Sequence, residues 1–257
     1  MHPTYLTNGR SVHFNGIRTV CPILTRSGRY AAVNIAIIGT GSIGATLIRR
    51  LAAAGHHVAV ANSRGPESLR SLAAETGAEP RPLAEVARDA QVVIVSIPPK
   101  AVAQLPQDLL AVARPEAFVI DTGNYVPSMR DGVIEALEHG AVESRWTESR
   151  VGRPVVKAFN TIKAVDLRDR NTPPGGADRV ALPVAGDDPA AKAITRQLIN
   201  EVGFDSIDAG GLDDSWRQQP GTPVYTTNLT AAGALTAIAS ATPEQNLVWR
   251  SRMVSGA

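Results

Sequence analysis

The stretch VNIAIIGTGSIGATLIRRLAAAGHHVAVANSRG, Val33 to Gly65, decides the fold. Val33 to Ile38 is short, apolar and rich in β-branched residues, the composition of a strand buried on both faces. Gly39-Thr40-Gly41-Ser42-Ile43-Gly44 follows at once and matches G-x-G-x-x-G. A helical period then begins: Ile43, Leu47, Ile48, Leu51 and Ala54 share one face, with Arg49 and Arg50 on the other. Gly55 stands where a helix-ending glycine belongs, and His57 to Ala61 reads as a second strand. Glycines set between a strand and a helix point to a dinucleotide-binding unit. Gly39 permits the tight turn, Gly41 lets the backbone approach a pyrophosphate, and Gly44 lets helix and strand pack closely. The helix N-terminus adds N–H donors and a positive dipole end.

The end of the second strand distinguishes the nucleotides. Asn62-Ser63-Arg64 holds no Asp or Glu, the residue that would bind an unmodified ribose 2′-OH. A carboxylate repels a 2′-phosphate, whereas a guanidinium such as that of Arg64 can bind it bidentately, with Ser63 adding a hydroxyl donor. The pattern predicts NADP rather than NAD.

Outward from this unit, strands and helices alternate. Helices are expected from Pro66 to Gly77, over Leu83 to Arg88, as two short pieces across Val102 to Val112, and over Gly132 to His139 and Trp146 to Val151. Further helices are expected over Ala190 to Glu201, with Pro189 in the first turn, and over Thr230 to Ala241. Strands are expected at Ala78 to Arg81, at QVVIVSI (Gln91 to Ile97), and at Phe118 to Asp121, Val155 to Phe159, Arg179 to Ala185 and Asp205 to Asp208. This spacing predicts an α/β, Rossmann-type, doubly wound and mainly parallel sheet with a short C-terminal extension. Three regions are expected: an N-terminal extension over 1–32, poorly ordered; an NADP-binding domain over 33–212; and a C-terminal segment over 213–257 that covers the active site or mediates dimerisation. Ligands of such sheets bind at the carboxyl ends of the strands. Those ends here are Gly39-Thr40, Asn62-Ser63-Arg64, Ser96-Ile97-Pro98, Thr122-Gly123-Asn124 and Asn160-Thr161.

Composition excludes several classes. With 257 residues and 44% hydrophobic content the chain can bury a large core, and 4% aromatics make that core aliphatic. A net charge of +2, mixed along the chain, leaves no nucleic-acid footprint. The single cysteine, Cys21, rules out an internal disulfide and suits a cytoplasmic protein. No apolar run approaches the eighteen or so residues of a membrane helix.

There is no G-x-S-x-G elbow, and His2, His13, His56, His57 and His139 have no metal-ligand spacing. His56 and His57 fall at the other end of the sheet, where a structural or solvated role is expected. Glu143 and Glu148 read as surface charges. Lys157 is the one residue near the strand ends that could donate a proton, and the expected role is pointing to the sheet surface or pairing with a nearby acid. Without an acid–base pair the chemistry belongs to a cofactor that the protein positions. The 46 residues from Leu212 to Ala257 are too few for a large helical second domain.

IGTGSIGATLIRRLAAAGHHVAVANSRG, VVIVSIPPKAV, VVKAFNTI, PVAGDDPAAKAITRQLINEVGF and DAGGL together resemble the NADPH-dependent F420 reductases, or F420-dependent NADP oxidoreductases. The resemblance runs from Val33 to Leu212. A similar domain, with a KAFN-like segment, forms the cytoplasmic NADP-binding part of some metalloreductases, whose membrane helices have no counterpart here. The resemblance implies NADP held by Thr40, Gly41, Ser42, Ile43, Ser63 and Arg64, with Ile97 and Pro98 along the ribose. It also implies F420 or a flavin as co-substrate, lying over the nicotinamide near Ile97, Pro98, Asn124 and Asn160. The site set is therefore Gly39, Thr40, Gly41, Ser42, Ile43, Gly44, Asn62, Ser63, Arg64, Ser96, Ile97 and Pro98 for the nucleotide. Asn124, Asn160 and Thr161 serve for positioning. The expected activity is hydride transfer in a cytoplasmic homodimer whose partners are small redox cofactors. Reduction of a small imine or carbonyl, or non-catalytic sensing of NADP(H), are the alternatives.

Overall fold

The computed structural model describes residues 31–255, preceded by two short antiparallel strands, β1 (His13–Phe14) and β2 (Ile17–Arg18). The expectation for residues 1–32 otherwise lies outside the described residues, except at 31–32. The main sheet has eight strands: β3 (Asn34–Ile38), β4 (His57–Ala61), β5 (Glu79–Pro80), β6 (Val92–Val95), β7 (Phe118–Asp121), β8 (Val155–Lys157), β9 (Ala181–Gly186) and β10 (Asp205–Asp208). The helices are α1 (Ser42–Ala53), α2 (Arg70–Thr76), α3 (Pro99–Val102), α4 (Glu135–Glu138), α5 (Glu143–Val151), α6 (Ala164–Asp169), α7 (Pro189–Glu201), α8 (Ala231–Ala239) and α9 (Pro243–Ser255). Among the described residues no helix is long and apolar enough to cross a membrane.

The order across the sheet is β5-β4-β3-β6-β7-β8-β9-β10. Strands β3 to β8 are all parallel; β9 pairs antiparallel to β8, and β10 runs parallel to β9. The chain winds one way from β3 to β5 and the other way from β6 to β8. This reversal opens a crevice above the carboxyl ends of β3 and β6. The strands are apolar on both faces because both are covered. Ile35, Ile37, Val92 and Ile94 pack with Leu47, Ile48 and Leu51 of α1 on one side. Ala36, Ile38, Val93 and Val95 pack with Val102, Leu137 and Trp146 on the other.

Local chemistry sets the ends. Gly55 (φ +96°) and Gly77 (φ +73°) follow α1 and α2 in conformations that favour glycine. The Asp188 carboxylate accepts from the N–H groups of Ala190 and Ala191 at the start of α7, with Pro189 in its first position.

Several helical expectations need correction; over Leu83 to Arg88 only a short 3₁₀ turn, Leu83–Glu85, forms. Across Val102 to Val112 only α3 is helical, and it begins earlier, at Pro99; beyond it come successive tight turns, Leu109 N to Pro106 O and Ala111 N to Asp108 O. Pro106 has no N–H to continue a helix. Helices α6 and α9 were missed, although Thr242-Pro243-Glu244-Gln245 has the capping-box pattern and makes one of its bonds: Gln245 Oε1 accepts from the Thr242 N–H at 2.9 Å.

Candidate active site

The β3–α1 turn is built by its glycines. Gly39 has φ +107°, and a Cβ there would lie 2.3 Å from Ser96 O and 2.6 Å from the Ile97 side chain. A Cβ on Gly44 would lie 2.1 Å from Gly39 O. Gly41 differs: its Cβ would meet nothing within 4 Å, so the turn is open on this side. Gly41 and Ser42 are exposed and Thr40 and Ile43 half-buried, and no side chain caps the N-terminus of α1. Its first N–H groups are left for a ligand.

The end of β4 lies beside this turn. Asn62 Nδ2 donates to Thr40 Oγ1 at 3.2 Å, and Asn62 Oδ1 accepts from the Arg64 N–H at 2.9 Å. Asn62 thus shapes the loop that carries Ser63 and Arg64. Both of these are exposed, and neither side chain has a hydrogen-bond or ion-pair partner among the described residues. The nearby acid Glu67 is paired with Arg70. From the next strand, the Ser96 N–H donates to Ile38 O, and half-buried Ile97 and Pro98 flank the crevice.

The far end of the crevice holds the positioning candidates, and the structure brings two of them together. Asn124 Nδ2 donates to the Asn160 backbone carbonyl at 2.9 Å, and Asn160 Nδ2 donates to Asn124 Oδ1 at 3.0 Å. Asn124 is half-buried, whereas Asn160 and Thr161 are 3% and 2% exposed. Asn160 also bonds Gln218, a residue of the C-terminal segment that the sequence did not single out. Among the described residues three non-glycines have left-handed φ, at a cost of about 1–3 kcal/mol each. Two meet here: Phe159 (φ +62°) precedes Asn160, and Thr226 (φ +55°) donates its N–H to Thr161 O at 2.8 Å.

Below this end lies a buried charged cluster. Lys157, 1% exposed, donates to Asp121 Oδ2 at 3.1 Å and to Gly123 O at 2.5 Å. The lysine is therefore paired with an acid and braces the Gly123-Asn124 turn. Ser144 Oγ also donates to Asp121 Oδ2. Glu143 is not a surface charge: it is 3% exposed, accepts from Tyr125 N at 3.1 Å, and pairs with Arg250 at 3.3 Å. Burial pushes its carboxyl above the usual carboxylate range, while Lys157 and Arg250 oppose the shift. Glu148 is likewise half-buried and accepts from the Val155 N–H at 3.3 Å and from Arg145. Burial and a bond to Glu138 push the Tyr125 hydroxyl up to about 12. At the opposite end of the sheet, buried His56 accepts from Val33 N and meets Glu201, a structural role as expected.

Residues 34–125 match the family described as NADP oxidoreductase coenzyme F420-dependent. Among solved structures, the hypothetical protein SMa0349 from Sinorhizobium meliloti is 30% identical, with a TM-score of 0.65 over 77% of this chain and 95% of that one. A protein from Arthrobacter sp. FB24, provisionally described as an F420-dependent NADP reductase, is 24% identical. Its TM-score of 0.54, over 70% of this chain and 86% of that one, is a likeness of fold. Protein YjhV of Escherichia coli (strain K12) is 47% identical over 72 residues, 28% of this chain. The match covers 53% of YjhV, so this chain spans about half the length of that relative. With residues 34–125 matching the family and one relative matched along nearly its whole length, the chain belongs to the coenzyme F420-dependent NADP oxidoreductase family, whose members share an NAD(P)-binding oxidoreductase fold.

Proposed function

We propose that the protein is an oxidoreductase that transfers hydride between NADP(H) and a deazaflavin (F420) or flavin-type acceptor. The observation that carries the nucleotide is the exposed Arg64 guanidinium beside Ser63, which has no partner among the described residues, with no free acid among them at the end of β4. The residues fit the group. Gly39, Thr40, Gly41, Ser42, Ile43 and Gly44 hold the pyrophosphate over the open side of the turn. Ser63 and Arg64 hold the 2′-phosphate on a loop shaped by Asn62. Ser96, Ile97 and Pro98 run along the second ribose, and Asn124 faces the nicotinamide end, braced by Asn160, with Thr161 next to Asn160 in the same turn.

NADP(H) supplies a hydride donor or acceptor, and the protein supplies alignment and exclusion of water. Reduction of an imine or carbonyl also needs a proton delivered to nitrogen or oxygen. Lys157 is buried and committed to Asp121 and Gly123 O. A reaction without an obligatory side-chain acid is therefore the better supported reading. The same reading has the protein work as a homodimer in the cytoplasm.

The test is NADPH oxidation with F420, with FMN and with a simple cyclic imine. Turnover with F420 or FMN is expected. Turnover with the imine alone would replace the acceptor, and tight NADPH binding with no turnover would make the protein a sensor.

A further inference from the structure

Gln218 lies in a 3₁₀ segment, Leu212–Gln218, beyond the strands that make the nucleotide site. It is fully buried. Its Nε2 donates to Asn160 Oδ1 at 2.9 Å and to Lys157 O at 3.3 Å, and its backbone carbonyl accepts from Asn160 Nδ2 at 2.7 Å. Both N–H groups of the Asn160 amide are thus engaged, one by Asn124 Oδ1 and one by Gln218 O. Turning that amide over would set N–H against N–H at Gln218 and oxygen against oxygen at both other contacts, so only one orientation of the Asn160 amide makes all three bonds. Asn160 has no donor left for a ligand. Asn124, held by two bonds to Asn160, keeps one N–H and one oxygen lone pair on a half-buried side chain.

A second observation points to the same place. The turn carrying Asn160 and Thr161 is strained at Phe159, and the strained Thr226 ties it down from the C-terminal side. Left-handed conformations of this kind persist where surrounding structure over-determines them, and they cluster at functional sites. The segment itself is anchored: Arg145 of α5 bonds Asp213 at 2.6 Å, and Asn246 of α9 donates to Pro220 O at 2.6 Å.

We infer that the C-terminal segment is a built part of the nicotinamide end, and that Gln218 is a positioning residue that sets Asn160 and, through it, the Asn124 amide that meets the nicotinamide half of the nucleotide. The inference rests on the proposed function, because it takes Asn124 as facing the nicotinamide.

The experiment is calorimetric titration with NADPH and with 2′,5′-ADP, which carries the adenosine half and its 2′-phosphate but no nicotinamide. Wild type, Gln218→Met, Asn124→Ala and the double variant are compared. Loss of the alignment of one neutral hydrogen bond should weaken NADPH by about 3- to 10-fold in each single variant. Binding of 2′,5′-ADP should stay within about twofold, since a nicotinamide-end defect leaves the adenosine half untouched. The double variant should be no weaker than the weaker single one, because both act through one group. In the wild type, the side-chain amide resonance of Gln218 should shift with NADPH and stay still with 2′,5′-ADP, a readout that needs no variant to fold. Wild-type NADPH affinity in Gln218→Met, equal losses for both ligands, additive effects, or a silent Gln218 resonance would each overturn the inference. A wild type that binds 2′,5′-ADP but gains nothing from the nicotinamide half would overturn it too. Failure of the wild type to bind NADPH at all would instead remove the proposed function, and this inference with it.

Discussion

Replacing Arg64 by alanine isolates the 2′-phosphate contact. The Arg64 side chain is exposed and has no partner among the described residues, so no ion pair with them must break before it meets a ligand. Its loop is already shaped: Asn62 Oδ1 accepts from the Arg64 N–H at 2.9 Å, and Ser68 Oγ donates to Gly65 O at 2.7 Å. Hydrogen bonds to a charged partner contribute about 1.5–3 kcal/mol net. Each 1.4 kcal/mol is tenfold, so Arg64→Ala should weaken NADPH by roughly 10- to 150-fold. NADH has no 2′-phosphate and should bind nearly as before. Arg64→Lys should recover only part of the loss, because an ammonium is a point charge without the bidentate fork. Calorimetric titrations with both nucleotides, at one fixed ionic strength because exposed charges are screened, make the measurement. Equal losses for NADPH and NADH, or no loss for either, would refute the assignment of Arg64 to the 2′-phosphate.

The glycine turn gives a contrasting pair: Gly44→Ala drives a methyl to 2.1 Å from backbone and should lose about 3 kcal/mol or more in urea unfolding. Gly41→Ala meets nothing and should stay within about 0.5 kcal/mol of wild type while losing NADPH affinity; unchanged affinity would show that the phosphates lie elsewhere. Lys157→Met leaves Asp121 buried without its cation and should cost about 3–5 kcal/mol, with part recovered by adding Asp121→Asn. A double variant no more stable than the single one would show that the pair is not what Lys157 contributes. Burial holds the Glu143 carboxyl above its ordinary value of 4.5 in the folded state, so the folded protein binds that proton more tightly than the unfolded chain does. The stability this proton contributes is present below that ordinary value and is lost as pH rises through the folded-state pKa. Glu143→Gln should flatten the fall of the urea midpoint across that range, and parallel pH profiles for the two proteins would rule the effect out.

Local pattern determined a great deal here. The period of β-branched residues and glycines between Val33 and Gly65 placed β3, the turn, α1 and β4, because hydrophobic period and backbone conformation are short-range properties. The bounds of β4, β7 and β10 agree with the sequence reading to the residue. The absence of an acid after β4 was equally legible, since it needs only a strand end and the next three residues. Even α9 was written locally, in Thr242 and Gln245, and could have been read there. What only the tertiary structure decided are the contacts between residues far apart in the chain. Glu143 looks like a surface charge because a Glu opening a polar helix usually is one. It is buried because Arg250, 107 residues on, returns to cover it. Gln218 sits in what looks like an ordinary Gln-Gln-Pro-Gly turn, yet it bonds Asn160 across 58 residues. Its role depends on which carbonyl and which amide the fold places opposite it. A polar side chain's partner is set by where the backbone brings it, and no periodicity in the chain encodes that meeting.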